Sequence, residues 1–344
     1  MRDDGKLQTE VLVIGGGPAG LAAAIAARVK GFDVTVVDAG RPPIDKACGE
    51  GVLPAGVEIL RGLGVRISSD DGFRFRGIRF VSDGASVEAS FQSGSGLALR
   101  RTRLHEILAG RACELGVRLV WGQRVKDVSE FLSCRWIVGA DGQNSRVRHA
   151  AGLDTRCDDL RFGYRRHYRV SPWTDFVEVH WGARSQIFVT PVSCHEVGIA
   201  LLSRDSHLRL DSALREFPEL QSRLQGAQTA STEHGGVTVS RRLQHVFRGH
   251  TALIGDASGS VDAITGEGLS LSFLQAAALS EALCSGDLRC YQAEHRRLAR
   301  RAALMARLLL LLDRLPALRR GVVKVLAFEP PIFATLLAKY ASDD

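Results

Sequence analysis

The chain has no apolar run approaching the roughly 20 consecutive residues that cross a bilayer, so it is read without a membrane span. Its seven cysteines (Cys48, Cys113, Cys134, Cys157, Cys194, Cys284 and Cys290) are an odd, scattered set with no Cys-x-x-Cys pair. That excludes a disulfide frame and a zinc site, and it points to reduced thiols in a cytoplasm. No metal site is expected. The charged start, Met1-Arg-Asp-Asp-Gly-Lys, lacks the pattern of a signal peptide and leads straight into an apolar strand. Internal repeats and low-complexity linkers are also missing. The net charge of +7 is spread too thinly to suggest nucleic acid. As a mild bias it suits an anionic coenzyme, an acidic substrate or an anionic lipid surface.

What the chain does have is glycine, 36 residues in 344, and its first cluster organises everything else. Val11-Leu-Val-Ile is followed by Gly15-Gly16-Gly17-Pro18-Ala19-Gly20, an alanine-rich segment, and a second apolar run, Val34 to Val37, ending in Asp38. Strand, tight turn, helix, strand, and an acid about twenty residues beyond the glycines form the context that a dinucleotide fingerprint requires. Gly15 permits the sharp turn, Gly17 has no side chain to hold a pyrophosphate away, and Gly20 lets the helix pack close to the sheet. The helix N-terminus offers unpaired N–H groups to phosphate. Asp38 is placed to accept hydrogen bonds from ribose hydroxyls.

Downstream, Arg41 to Pro54 is a glycine-containing stretch suited to lie against a flat ligand, and a helix carrying Val57, Leu60 and Leu63 follows. Residues 74–91 alternate as strands. A helix opens at Arg101 and ends near Gly116, and strands are expected at Val117–Trp121 and Val125–Val128. Trp136 to Arg148 runs from a buried strand through Gly139-Ala140-Asp141-Gly142 into a helix that Ser145 is placed to cap. Residues 160–245 are strand-rich, with strands at Phe162–Val170, Asp175–Trp181, Gln186–Val192, Glu196–Leu202 and Gly236–Leu243. Thr251 to Leu269 then carries Gly255-Asp256 and Gly266-Glu267-Gly268-Leu269, and a long helix follows to about Leu283.

Three glycine–aspartate signals thus stand together, at 15–38, 139–142 and 255–269. With them the chain resembles the flavoprotein superfamily of aromatic-ring hydroxylases and geranylgeranyl reductases, up to about residue 285. The resemblance implies FAD, held in an α/β Rossmann-like domain built from discontinuous segments (1–72, 98–156 and 245–300). An inserted β-rich substrate domain (73–97 and 157–244) and a C-terminal helical tail (301–344) complete it.

By the same resemblance, Ala19 and Asp38 match adenosine-side contacts, Arg101 the arginine at the phosphates, and Asp256 the carboxylate at the ribityl chain beside Gly255. Asp141 with Gly142 matches the motif touching FAD and the path of the reducing coenzyme, and Val125 is placed among the cofactor-binding positions. Cys48, Gly49 and Gly51 match the segment that lies against the flavin in prenyl reductases, where a similar Cys-x-Glu-Gly occurs. Cys48 is therefore both a cofactor contact and the catalytic candidate; the plainer reading is a small buried hydrophobe. Gly266, Gly268 and Leu269 open a helix whose N–H groups and dipole would stabilise the negative charge of a reduced flavin. Glu267, between them, is expected to point away. Ala263 departs from the family, where proline is common, and the tryptophan motif of flavin halogenases is missing.

The implied reductant is NAD(P)H, bound transiently because no second glycine fingerprint exists. The implied reaction is an oxygen-dependent hydroxylation of an apolar aromatic or polyketide-like substrate. The alternative is reduction of isoprenoid double bonds, toward which the Cys48 segment leans. A non-catalytic FAD-binding or electron-transfer protein stays as a third class.

Two further expectations concern surfaces. Arg165, Arg166 and His167 read first as a solvated strand face and second as a partner for an anionic ligand. The strands Phe176–Trp181 and Ile187–Pro191 are expected to present one set of side chains to a hydrophobic small-molecule substrate. In the tail, Arg300, Arg307 and Arg314 share one helix face and Leu304, Leu308, Leu311 and Leu315 another. The plain reading packs this helix on the FAD domain with its arginines in water. The other readings are a peripheral membrane contact through the C-terminal helices, or dimerisation.

Overall fold

The computed structural model describes residues 9–82, 84–127, 133–155 and 160–341. At its centre is a six-stranded sheet ordered Phe247–Arg248, Thr251–Leu253, Trp136–Gly139, Val11–Ile14, Val34–Asp38, Arg118–Trp121. All pairings are parallel except the hairpin between the first two. Val11–Ile14 and Trp136–Gly139 are buried along their whole length, as strands covered on both faces must be. The helices Pro18–Val29, Arg101–Glu114 and Gly268–Ser285 contribute to the main core, where Leu21, Ile25, Leu104, Leu108, Phe273 and Leu279 meet. Gly20 sets how closely the first helix approaches, because a Cβ there would stand 1.8 Å from the Gly15 carbonyl oxygen.

The expected strand at Val125–Val128 is not formed: residues 123–127 are irregular, and Val128 lies outside the described residues, as does Cys157. The chain leaves the sheet after Trp121, where Gly122 takes a positive φ of 75° and Gly122 and Gln123 donate to the Gly40 and Asp38 carbonyls.

The second sheet faces the ends of these parallel strands across a cavity. Its order is Gln228–Thr229, Leu160–Arg169, Glu196–Ser203, Ser185–Ser193, Phe176–Trp181, Gly77–Ser82, Ala85–Ser90, with His234–Val239 also pairing with Leu160–Arg169. The hairpin 77–90 joins by a parallel pairing between Gly77–Ser82 and Phe176–Trp181. A small sheet of Gly51–Val52, Gly96–Ala98 and Phe73–Phe75 links the two parts of the molecule.

The helix Leu288–Arg314 starts at a side-chain cap, Asp287 Oδ1 accepting from Arg289 N at 2.9 Å. Pro316–Phe328 and Pro330–Ala341 follow, bent by 102°. Val323, Leu326, Phe333 and Leu337 from these two helices cover Phe75, Val87, Ala89 and Phe91. The tail therefore packs on the inserted sheet. The phase of its long helix also differs from the expectation. Ala302, Ala306, Leu309 and Leu312 are the buried positions, and Leu304, Leu308, Leu311 and Leu315 face solvent. Among the described residues no single helix is long and apolar enough to cross a membrane.

Candidate active site

A cavity of about 610 Å³ runs from the first glycine turn to the inserted sheet. Its floor is the chemistry-bearing end of the parallel strands. Gly15, Gly17, Ala19, Asp38, Cys48, Gly49, Gly51, Arg101, Val125, Asp141, Gly142, Gly255, Asp256, Gly266, Gly268 and Leu269 all line it. Gly20 does not, since it sits behind the turn. Stretches far apart in sequence thus converge on one space, as ligands of open α/β sheets do at the carboxyl ends of the strands.

At one end, no side chain caps the Pro18–Val29 helix, so its N-terminus is open toward the cavity. A Cβ on Gly17 would meet only Arg101 Nη2, at 4.0 Å. Arg101 Nε is buried with no hydrogen-bond partner. A buried cationic donor without an acceptor beside a bare helix N-terminus fits an anion such as a pyrophosphate. Asp38 holds the turn itself: its two oxygens accept from Gly16 N and Gly40 N, each at 2.6 Å. A carboxylate oxygen has a second lone pair, so the ribose role remains open to it.

Midway, Asp256 faces Lys46 Nζ at 2.8 Å. Burial opposes its ionisation, but Lys46, Arg101 and Arg148 outweigh that and hold its carboxyl below the usual carboxylate range. Asp141 is committed to structure as well as to lining. It accepts from Arg146 N at 2.7 Å and Val147 N at 3.2 Å, as well as from Ser145 Oγ. Ser145 caps the Arg146–Ala150 helix as expected, accepting from Arg148 N at 2.9 Å. Gly255 takes φ 59° against Ala19, whose Cβ would lie 2.8 Å from a Cβ at Gly255.

At the far end, the turn Ala263–Thr265 delivers Gly266 (φ 69°) and the uncapped start of the Gly268–Ser285 helix to the cavity. Glu267 points away from the cavity, as expected. Its Oε1 is buried without a partner, and burial pushes its carboxyl up to about 7 against the opposing pull of Thr265 and Arg301.

The basic strand end corrects the expectation of a solvated face. On a strand, positions two apart share a side, and Arg165 and His167 both turn inward and are buried. They close on Glu50, a buried non-glycine residue at φ 61°. Glu50 Oε1 accepts from Arg165 Nη1 at 2.5 Å and Arg101 N at 2.8 Å, and Oε2 lies 2.6 Å from His167 Nε2. Arg165 also reaches Asp45 at 2.8 Å, while Arg166, on the other side of the strand, pairs with Asp211 and Glu233. Cys48 lines the cavity as a half-buried free thiol whose Sγ accepts from Glu50 N at 3.3 Å. The inserted sheet therefore grips the Cys48–Gly51 segment through ion pairs.

The opposite wall is apolar. Phe188 and Ala200, directly paired across two strands, line the cavity with Leu202 and Val237. The Phe176–Trp181 strand contributes nothing to it; Phe176, Val179 and Trp181 are buried in the sheet's packing. The sequence carries no signal for Lys46, and for Glu50 only that of an acid placed between the glycines of the cofactor segment; Arg165 and His167 belong to the basic strand end read second as an anion partner, and Phe188 to a strand expected to face the substrate.

A parallel sheet with a bare glycine turn, a buried arginine Nε without a partner at that turn and a second uncapped helix at the far end of one cavity defines a dinucleotide-cofactor protein. Residues 8–286 match the FAD binding domain family, and the chain belongs to that family of FAD-dependent oxidoreductases. It is 28% identical over 321 residues to a menaquinone reductase of Mycolicibacterium smegmatis, covering 83% of this chain and 78% of that protein. To a digeranylgeranylglycerophospholipid reductase of Methanosarcina acetivorans it is 27% identical over 324 residues, covering 81% and 77%. A 12-dehydrotetracycline 5-monooxygenase/anhydrotetracycline 6-monooxygenase of Streptomyces rimosus is 31% identical over 169 residues, covering 43% and 33%. In fold, the chain is similar to p-nitrophenol 4-monooxygenase of Pseudomonas putida, with a TM-score of 0.80, 16% identity and coverage of 98% and 99%.

Proposed function

We propose that this flavoprotein reduces a carbon–carbon double bond in a long isoprenoid-type substrate, with NAD(P)H as the transient source of electrons. This reverses the order in which the sequence alone ranks reduction and hydroxylation. The observation that carries it is the Cys48-Gly49-Glu50-Gly51 segment, which lines the cavity facing an apolar wall of Phe188, Ala200 and Leu202. The two reductase relatives support the reading by matching over more than three quarters of their length, whereas the tetracycline monooxygenase matches over a third of its own.

FAD supplies the redox chemistry when bound. The chain's own residues would do the following. Gly17, the helix start at Pro18 and Arg101 would bind the pyrophosphate, and Asp256 with Lys46 the ribityl chain. The N–H groups at Gly266–Leu269 would hold negative charge at the ring edge. The Glu50–Arg165–His167 cluster holds Cys48 and Gly49 rigidly toward the cavity. His167 and Glu50, 2.6 Å apart, can keep a proton close to that segment. Phe188, Ala200 and Leu202 would exclude water and accept an isoprenoid chain edge-on.

Hydroxylation is the second reading, favoured by Gly139-Ala140-Asp141-Gly142 standing at the same cavity. Incubation of the chemically reduced protein with a prenyl lipid that carries no quinone ring, under strict anaerobiosis, separates the two. Reduction gives a product heavier by two hydrogens without oxygen. Hydroxylation gives nothing until oxygen is admitted, then a product heavier by one oxygen atom. A protein that binds FAD but shows neither product, and no substrate-stimulated NAD(P)H oxidation, would be a non-catalytic flavoprotein.

A further inference from the structure

We propose that the C-terminal helices seat this protein on an anionic lipid bilayer. The proposal stands on the surface of the tail and does not depend on which reaction the cavity performs.

Leu304, Leu308, Leu311 and Leu315 lie at spacings of four, three and four residues, a single narrow stripe on the Leu288–Arg314 helix. All four are exposed, Leu304 at 70%. The next two helices continue the pattern with Phe328 at 83% and Ile332 at 47%. The opposite faces of the same helices are fully used. Leu309 and Leu312 pack with Leu202 and Ile264, and Val323 and Leu326 cover the Phe75–Phe91 cluster. The exposed apolar side chains are therefore surplus to the fold, and an unbroken apolar stripe on a helix marks a contact surface.

The charge around the stripe says what would cover it. Residues 296–332 contain nine lysines and arginines and two acids, the exposed Glu329 and, in the long helix, Asp313. Asp313 is spent internally, its carboxylate paired with Arg161 and Arg204. Arg300, Arg307 and Arg314 recur every seven residues along one edge of the leucines, and Arg320 and Lys324 are exposed on the following helix. Leucines flanked by arginines match acyl chains beneath anionic headgroups. A second copy is a poor occupant, because joining two such faces would set the Arg300, Arg307 and Arg314 row against its own copy, with Glu329 an exposed acid only at the far end near Phe328. Among the described residues no single helix is long and apolar enough to span, and the two apolar helices after Leu315 are bent by 102°, a shape that suits a surface seat better than a straight crossing. The face therefore lies on the bilayer surface.

The link to the cavity is short. The face of the helix opposite the leucine stripe packs on Leu202 and on Ile264, and Phe188, in the same cluster, lines the cavity. A substrate dissolved in the bilayer would be one helix thickness from the pocket wall.

The test is sedimentation of the full-length, FAD-loaded protein with phosphatidylcholine vesicles and with vesicles containing phosphatidylglycerol. Removing the tail is not a usable control, because it takes away the buried partner of Arg161. Instead, Leu304→Ser with Leu308→Ser, and Arg300→Glu with Arg307→Glu, change only exposed positions. The wild type should sediment with the anionic vesicles and be released by high salt. Each double variant should partition at least about tenfold less while keeping its FAD and melting temperature. Wild type that stays in the supernatant at low salt would overturn the proposal. So would binding that neither pair of substitutions weakens, or a dimer that the leucine substitutions dissolve without any vesicle binding.

Discussion

Arg161 Nη2 and Asp313 Oδ2 are 2.8 Å apart, joining the Leu160–Arg169 strand of the inserted sheet to the long tail helix 152 residues later. Arg161 lies against Asp262 Oδ2 as well, at 3.0 Å, and Asp262 caps the Ala263–Thr265 turn by accepting from Ile264 N at 3.0 Å. One buried guanidinium thus ties the sheet, the tail and the loop that leads to Gly266.

Asp313→Ala should therefore be among the most damaging single changes outside the cavity. Removing one member of a buried ion pair leaves the other uncompensated, at about 3–5 kcal/mol. Denaturant unfolding of the purified variant checks this. A loss below about 1 kcal/mol would mean that Asp262 alone satisfies Arg161.

Glu267 gives a pH signature. Its carboxyl is pushed up to about 7 in the folded protein from an ordinary value of 4.5. Between those limits the native state binds more protons than the unfolded chain, so stability falls as pH rises through this window and stays low above it. The full effect is up to about 3 kcal/mol. Glu267→Gln should melt higher than wild type at about pH 8 and nearly level with it at about pH 4.5. An equal difference at both would assign the effect to packing.

Two glycines three positions apart should behave oppositely. Gly17→Ala meets nothing closer than an arginine tip at 4.0 Å, so the protein should fold and lose FAD affinity. Gly20→Ala puts a methyl 1.8 Å from a backbone oxygen, which must displace the turn itself. Melting curves and bound-FAD absorbance, read together, distinguish the two. If Gly17→Ala binds FAD normally, the pyrophosphate lies elsewhere.

Asp256→Ala should weaken FAD by roughly ten- to a hundredfold, the equivalent of about 1–3 kcal/mol for a lost buried acceptor. Asp256→Asn should lose less, since it keeps an acceptor. The loss is measured by FAD titration of the stripped protein. Unchanged affinity in both variants would remove Asp256 from the site.

The nucleotide half of the fold was legible because its signals are local: a glycine turn, an alanine-rich helix and an apolar strand occupy Val11 to Asp38. The strands of the inserted sheet fell within a few residues of their expected ends for the same reason, since alternation needs only neighbours. The Glu50 cluster was not legible, because its partners Arg165 and His167 are 115 and 117 residues away and charged residues on a strand ordinarily face water. The tail helix shows another limit. Leu308 to Leu312 are all leucine, and an uninterrupted run carries no phase. The phase is set by what neighbours require, small Ala302 and Ala306 at the packed face and Asp313 turned toward Arg161.

The order of strands in the central sheet has a consequence for how the protein is made. Val11–Ile14 pairs on one side with Val34–Asp38, which follows it closely in the chain, and on the other with the much later Trp136–Gly139. That strand in turn pairs with Thr251–Leu253, after which Gly255 and Asp256 close the cavity wall. A nascent chain halted anywhere before this point holds a glycine turn ready for phosphate but only part of the cradle around it. The complete cradle for the cofactor therefore needs residues from both ends of this span, from Gly15 through Leu269.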